Sequence, residues 1–246
     1  MRILVVEDEE ALRDGLRFNF EQEGYKVSTA GDGHVALDEF RESDPPIDLV
    51  VLDLMLPGMS GYETCRAIRD IDVQVPILVL SARTLSEDKA QAFDCGTDQY
   101  MTKPFALPEL LSRVRNLLER RSNVRVVVPS SSDKEVEDIE QFEFGNGRVI
   151  VDFTTFEIQV DGNRNSLTTM EVQLLKYFIR NDGRVLSRSQ ILADVWEESG
   201  DVTTRSIDNF VMRLRKQIET NPAEPQHILS VRGTGYRFVA SPDTVL

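Results

Sequence analysis

The chain is poor in the side chains that build cross-links and metal clusters: 246 residues include two cysteines, Cys65 and Cys95, and two histidines, His34 and His227. Two thiols do not make the disulfide framework of a secreted mini-domain, and both suit small apolar positions on helices. The histidines lie too far apart in sequence to suggest a metal site unaided. No apolar run approaches the roughly 18 residues of a membrane span. "MRILVV" turns at once into "EDEE", a charge pattern at odds with a signal peptide. A soluble, reducing, cytoplasmic setting is therefore expected. There is no Gly-Lys-Ser/Thr phosphate loop, and "GMSG" lacks the spacing of a nucleophile elbow.

What the chain has is acid, unevenly spread. The net charge is −14; residues 1–121 hold 14 Lys+Arg against 23 Asp+Glu, and residues 140–246 hold 12 against 15. Within residues 203–238 the balance reverses locally, with Arg205, Arg213, Arg215, Lys216, Arg232 and Arg237 against Asp208, Glu219 and Glu224. An anionic partner would dock there.

Short β-type runs alternate with helical patterns over the first half: "RILVV", helix 9–23, "KVSTA", helix 33–43, "DLVVLD", helix 60–71, "PILVLS", helix 86–95, "QYMT", helix 107–121. Five βα units predict a doubly wound parallel sheet. Residues 122–139, "SNVRVVVPSSSDKEVEDI", combine Pro129, serines and a charge run and read as a flexible linker. From 140 to 241 the pattern becomes short strands with Gly turns, three helices, and a hairpin, "HILSVRGTGYRFV". Capping boxes Thr168-x-x-Glu171 and Ser187-x-x-Gln190 mark two helix starts. The third helix opens near Thr203 or Thr204. Its periodicity turns Ile207, Val211, Leu214 and Ile218 inward and Arg205, Asn209, Met212, Arg213 and Lys216 outward.

Asp53 closes the apolar run "LVVLD" ahead of Pro57, Gly58 and Gly61. Such an aspartate either caps the following loop or stands at the carboxyl edge of a buried strand, where open α/β sheets bind ligands. Glu7, Asp8, Ser81 and Lys103 fall at matching edges of other predicted strands. Three carboxylates in one crevice repel, so a divalent cation is expected, and oxygen ligands with a phosphate select Mg²⁺. Asp53 would then attack a phosphoryl group to form an acyl phosphate, with Lys103 neutralising its oxygens and the Ser81 hydroxyl bonding to it.

"VVEDEE", "LVVLDLMLPGMSGYE", "LSAR" and "DQYMTKPF" resemble the receiver domain of a bacterial response regulator. The resemblance implies a flavodoxin-like five-stranded sheet, phosphorylation of Asp53 by a sensor histidine kinase, and Mg²⁺ held by Glu7, Asp8, Asp53 and the carbonyl of Met55. It makes Lys103 the phosphate-binding lysine and places Ser81 and Tyr100 at the switch positions. It further implies homodimerisation on phosphorylation through Lys89, Asp94, Asp98, Glu109, Arg113 and Arg120, although Gln99 stands where an acid is usual. "LTTMEVQLLKYF", "LSRSQILADVW", "RSIDNFVMRLRKQIE" and "SVRGTGYRF" resemble the winged helix-turn-helix output domain of the OmpR/PhoB family.

That second likeness implies double-stranded DNA as partner. The third helix would enter the major groove, with Arg213 on guanine, Asn209 on adenine and Met212 on a thymine methyl. Arg205 and Arg215 would grip phosphates, and Arg232 at the hairpin tip would reach the minor groove. Met212 and Phe210 replace Arg and His of many relatives. Glu197, Glu198 and Asp201 occupy the loop that contacts RNA polymerase in some relatives, making polymerase a further expected partner. An enzyme reading, a phosphatase working through an aspartyl phosphate, lacks the second aspartate two residues on, where Met55 stands. A third reading keeps the receiver and gives the second domain a protein-binding role.

Overall fold

A computed structural model describes residues 1–82, 91–125, 139–196 and 204–242; of residues 122–125 and 204–206 it gives the backbone alone. Two compact units divide the chain, Met1–Arg121 and Ser122–Leu246.

In the first unit the strands are β1 (Arg2–Val6), β2 (Lys26–Ala30), β3 (Leu49–Asp53), β4 (Ile77–Ser81) and β5 (Gln99–Thr102). They form one parallel sheet in the order β2-β1-β3-β4-β5. β3 and β4 are buried along their whole length, as both-faced burial in a parallel sheet requires. Around them lie α1 (Glu10–Gln22), α2 (Gly33–Glu42), α3 (Gly61–Ile71), the helical residues 91–94 (α4), and α5 (Leu107–Arg125). α1 inserts Leu16 and Phe20 into the core. α5 runs four residues past its expected end into the segment expected to be linker, because neither Pro nor Gly interrupts "SNVR". Residues 126–138 of that segment lie outside the described residues.

The chain leaves β1 for β2 and then returns to β3 on the other side. The sheet order reverses there, and in such sheets ligands bind at that reversal. Val6 pairs with Leu52, so Glu7 and Asp53 leave adjacent strands at the same level. α3 begins against this edge through a capping box in which Ser60 Oγ accepts from the Glu63 amide at 3.3 Å and Glu63 Oε2 accepts from the Ser60 amide at 2.9 Å. Gly61 explains the end of the "LPGMSG" run: a Cβ there would stand 2.1 Å from the Asp53 carbonyl oxygen.

The second unit starts with an antiparallel sheet of β6 (Gln141–Phe144), β7 (Val149–Asp152), β8 (Glu157–Val160) and β9 (Asn163–Ser166). Helices α6 (Thr169–Arg180), α7 (Arg188–Trp196) and α8 (Thr204–Ile218) follow, then the hairpin β11 (Ile228–Val231) and β12 (Gly235–Phe238). The hairpin gains a third strand that sequence periodicity did not suggest, β10 (Val185–Ser187), giving the order β10-β12-β11. Gly235 permits this pairing, since a Cβ would meet the Leu186 carbonyl at 2.0 Å. Trp196 packs on Phe210 and Phe144 on Phe238, both edge-on or tilted, and close the core.

Two glycines near Asp53 should respond differently to a methyl group. Gly58 has φ +71° with open space around it, so Gly58→Ala should cost ~1–2 kcal/mol from the left-handed backbone alone. Gly61→Ala must displace the strand end itself and should cost ~3 kcal/mol or more. Urea midpoints of the two variants, read on the first unit, check the order.

Candidate functional site

The carboxyl edge of the parallel sheet gathers the five residues expected there. Lys103 follows β5, and its Nζ lies 2.6 Å from Glu7 Oε2 while also donating a short hydrogen bond to Asp53 Oδ2. The other Asp53 oxygen, Oδ1, accepts from the Met55 amide at 2.8 Å. Glu7 is 2% exposed and Asp53 nearly buried, whereas Asp8 faces solvent. One oxygen from each of the three carboxylates lies within 4.8 Å of the others. Arg13, one turn into α1, steadies the acidic turn by donating to the carbonyls of Glu7 at 2.7 Å and Asp8 at 3.2 Å.

The electrostatics of this pocket are set by burial against pairing. Burial pushes the Glu7 carboxyl above its usual range, with Lys103 only partly opposing the shift. For Lys103 burial pulls downward, but the hydrogen bonds it donates to Asp53 and Glu7 carry its ammonium above the ordinary lysine value. One lysine faces three acids, so the site remains net negative and its donors are hard oxygens. That donor set fits Mg²⁺, which takes few protein ligands and leaves positions for phosphate. Ser81 ends β4 and Tyr100 lies in β5; both are buried.

Several expected dimer-face residues are differently placed. Asp98 is 0% exposed, and its Oδ2 accepts from Arg69 Nη2 at 2.7 Å and from the Ile77 amide at 2.8 Å. It ties α3 to the start of β4 and is not a surface charge. Gln99 beside it is buried too. Arg113 is 3% exposed and directs Nε and Nη2 to Glu109 Oε1, one turn back on α5, at 3.1 and 2.6 Å. Asp94 is exposed, with Glu109 and Arg120 half-buried. Lys89 lies outside the described residues.

In the second unit α8 buries Ile207, Val211, Leu214 and Ile218 as its periodicity requires. Two other expectations, for Arg213 and Arg215, are corrected. Phe210 is fully buried against Trp196. The Arg213 side chain is 12% exposed and turns back over the Phe210 ring, 4.4 Å from its centre, to place Nε 2.9 Å from Glu171 Oε1. Glu171 is the acid of the capping box that starts α6, its Oε2 accepting from the Thr168 amide at 2.9 Å. One carboxylate therefore both caps α6 and anchors α8. Arg215 is likewise turned inward, donating Nε and Nη2 to the Ile228 carbonyl at 2.9 and 2.5 Å. Burial holds its guanidinium below the usual arginine value.

Of the expected DNA contacts, Met212 (39% exposed), Lys216 and Arg232 stand in solvent and Asn209 is half-buried. The side chain of Arg205 and the loop holding Glu197, Glu198 and Asp201 lie outside the described residues. The Ser187 box makes its hydroxyl half, the Gln190 amide donating to Ser187 Oγ at 3.1 Å. Unforeseen is a cluster in which Asp208 Oδ1 accepts from the Tyr236 hydroxyl at 2.6 Å and from Arg188 Nε at 2.8 Å. Burial, with Asp208 adding to it, pushes the Tyr236 phenol up to about 12. The Tyr in "GTGYRF" and the acid at the start of α8 carried no periodic signal linking them.

Residues 3–115 match the family model of the response regulator receiver domain, and residues 162–238 that of the C-terminal domain of transcriptional regulatory proteins. The chain is 38% identical over 236 residues to the sensory transduction protein RegX3 of Mycolicibacterium smegmatis, covering 96% of this chain and 98% of that one. It is 38% identical over 237 residues to the alkaline phosphatase synthesis transcriptional regulatory protein PhoP of Bacillus subtilis, covering 96% of each. A solved structure of a RitR mutant is similar in fold, with TM-score 0.70 at 22% identity over 96% of this chain and 98% of that one. Among the described residues no helix is long and apolar enough to cross a membrane.

The Arg213–Glu171 pair predicts an effect on stability rather than on solubility. Arg213→Ala leaves a nearly buried carboxylate without its guanidinium, and should lower the stability of the second unit by ~1–3 kcal/mol. Lys216→Ala, on the exposed side of the same helix, should change it by no more than ~0.5 kcal/mol. Thermal unfolding of the two variants distinguishes them.

Proposed function

The chain belongs to the two-component response regulators of the OmpR/PhoB type, transcriptional regulators in which a receiver domain is joined to a DNA-binding effector domain, and from that membership we propose that Asp53 is its phosphoacceptor. The observation that carries this reading is the Lys103 ammonium held against both Asp53 and Glu7 where the sheet order reverses.

A receiver takes its phosphoryl group from a histidine kinase. An Asp53 carboxylate oxygen attacks the phosphorus of the kinase phosphohistidine; the new P–O bond forms as the P–N bond breaks, and the imidazole leaves with the bonding electron pair. Met55 holds Asp53 Oδ1 through its amide, which orients the carboxylate. Lys103 exchanges part of its contact with Asp53 for a phosphoryl oxygen, and the Ser81 hydroxyl bonds to another. Glu7, Asp8, Asp53 and the Met55 carbonyl would hold Mg²⁺, which supplies further positive charge to the phosphoryl oxygens. Ser81 and Tyr100, both buried, are the groups that carry the change onward to the surface of β5 and α5.

Receiver pairing would use the surface charges Asp94, Glu109 and Arg120, with Lys89. Pairing brings two effector domains to adjacent half-sites and raises affinity through effective concentration, without any new base contact. On each half-site α8 would present Asn209, Met212 and Lys216 to the major groove, with Arg205 at its start, and Arg232 would reach the minor groove. Arg213 and Arg215 support that face from behind.

With a small phosphodonor and Mg²⁺, the wild-type chain should gain one phosphoryl group and Asp53→Asn none, read by intact mass. Equal incorporation by Asp53→Asn overturns the assignment. Lys103→Ala should slow the gain by roughly 10²-fold, since one preorganised charge facing the phosphoryl group is removed. For DNA, Arg232→Ala should lower the slope of log K against log salt by about one contact.

A further inference from the structure

Along α8 and the residue that follows its last turn, three charged residues recur at spacings of seven and four: Asp208, Arg215 and Glu219. These spacings place them on one side of the helix. Each ends on the β11–β12 hairpin or on the segment leading into it. Asp208 Oδ1 accepts from the Tyr236 hydroxyl at 2.6 Å. Arg215 donates twice to the Ile228 carbonyl and, through Nη2, to Ser230 Oγ at 3.0 Å; its guanidinium lies 5.7 Å from the centre of the Tyr236 ring. The buried Glu219 carboxylate accepts from the amides of Gln226, His227 and Ile228, each at 2.9 Å. Ser230 and Tyr236 face one another across the hairpin, so Arg215 and Asp208 grip both of its strands.

An apolar contact between a helix and a hairpin is non-directional and tolerates sliding and rocking. Hydrogen bonds from three points on the helix do not, because they weaken steeply once distance and angle depart from their narrow optimum. A slip of one residue along a strand is about 3.3 Å and would break every one of them. The tip residue Arg232 is exposed and lies two positions beyond Ser230, in the turn directly after the strand that Arg215 holds.

We propose that Arg215, Asp208 and Tyr236 are positioning residues that lock the hairpin to α8, so that Arg232 meets the minor groove at a fixed offset from the helix in the major groove. The inference rests on the DNA reading given above and adds to it that helix and hairpin bind as one rigid two-point head. Arg215 acts through Arg232 and not by touching DNA.

The test is a double-mutant cycle on the full chain, with a labelled duplex selected by the wild-type chain from a random-sequence pool. Circular dichroism confirms folding of each variant. Arg215→Lys keeps the charge and loses the forked pair of bonds to Ile228; Tyr236→Phe keeps the ring and loses the bond to Asp208. Arg232→Ala should weaken binding roughly tenfold. Arg215→Lys and Tyr236→Phe should each lose a similar factor in the wild-type background and less than about twofold once Arg232 is already Ala. Without DNA, both should speed amide exchange at residues 232–234. An equal loss in both backgrounds, or no loss in either, overturns the lock while leaving the wing contact standing. If Arg232→Ala alone changes neither affinity nor salt slope, the wing contact itself is wrong and the lock falls with it.

Discussion

The first unit depends on a single ammonium group placed between acids. Two carboxylates about 4 Å apart repel by about 4 kcal/mol at the effective dielectric of a protein surface. Glu7 and Asp53 are both nearly removed from water, so neither can be screened by solvent. Lys103 relieves the repulsion, yet it arrives from β5, two strands away from the β3 that carries Asp53. The pocket therefore exists only once β1, β3 and β5 all occupy their places, and the same ion pairs that balance the site also bind the carboxyl edge together. On the proposed function, a phosphoryl group on Asp53 would bring new negative charge to Lys103, and the change would pass through it to β5.

Packing around Asp53 keeps its carboxylate rigid. α3 starts against the backbone of the strand end, at a distance only glycine permits, and its capping box satisfies the first amides of the helix. The Met55 amide and Lys103 each take one carboxylate oxygen. The carboxylate thus has little rotational freedom left, and in the proposed phosphoryl transfer the entropy of orienting it would already have been lost on folding.

Backbone-level features were legible in the sequence, and long side chains were not. Continuous apolar runs ending in Asp53 or Ser81 announced buried parallel strands, and the 3.6-residue period of α8 identified Ile207, Val211, Leu214 and Ile218 as core. Such periods report where a Cβ points. They do not report where six further atoms of an arginine end, and Arg213 and Arg215 both leave an outward or flanking Cβ for an acceptor on another element. Asp98 was misplaced for a related reason: it precedes β5 in irregular chain, where no period exists to give its direction, and its partners Arg69 and the Ile77 amide come from elsewhere in the fold. β10 is three residues long, too short for alternation to register.

The inward turn of those arginines bears on how the effector domain binds an anionic duplex. Six cations between residues 203 and 238 gave the second unit a local positive excess in an acidic chain. Arg213 and Arg215 now satisfy Glu171 and the Ile228 carbonyl, so the surface offered to phosphates is less basic than the count implies. Non-specific affinity scales with phosphates neutralised, and a domain making few such contacts binds weakly by itself and loses little to random DNA. Weak individual binding is the condition under which pairing two domains matters most, because the gain from effective concentration then separates bound from free. Under the proposed pairing, a modest cationic face on each domain would leave tight binding to depend on the receiver.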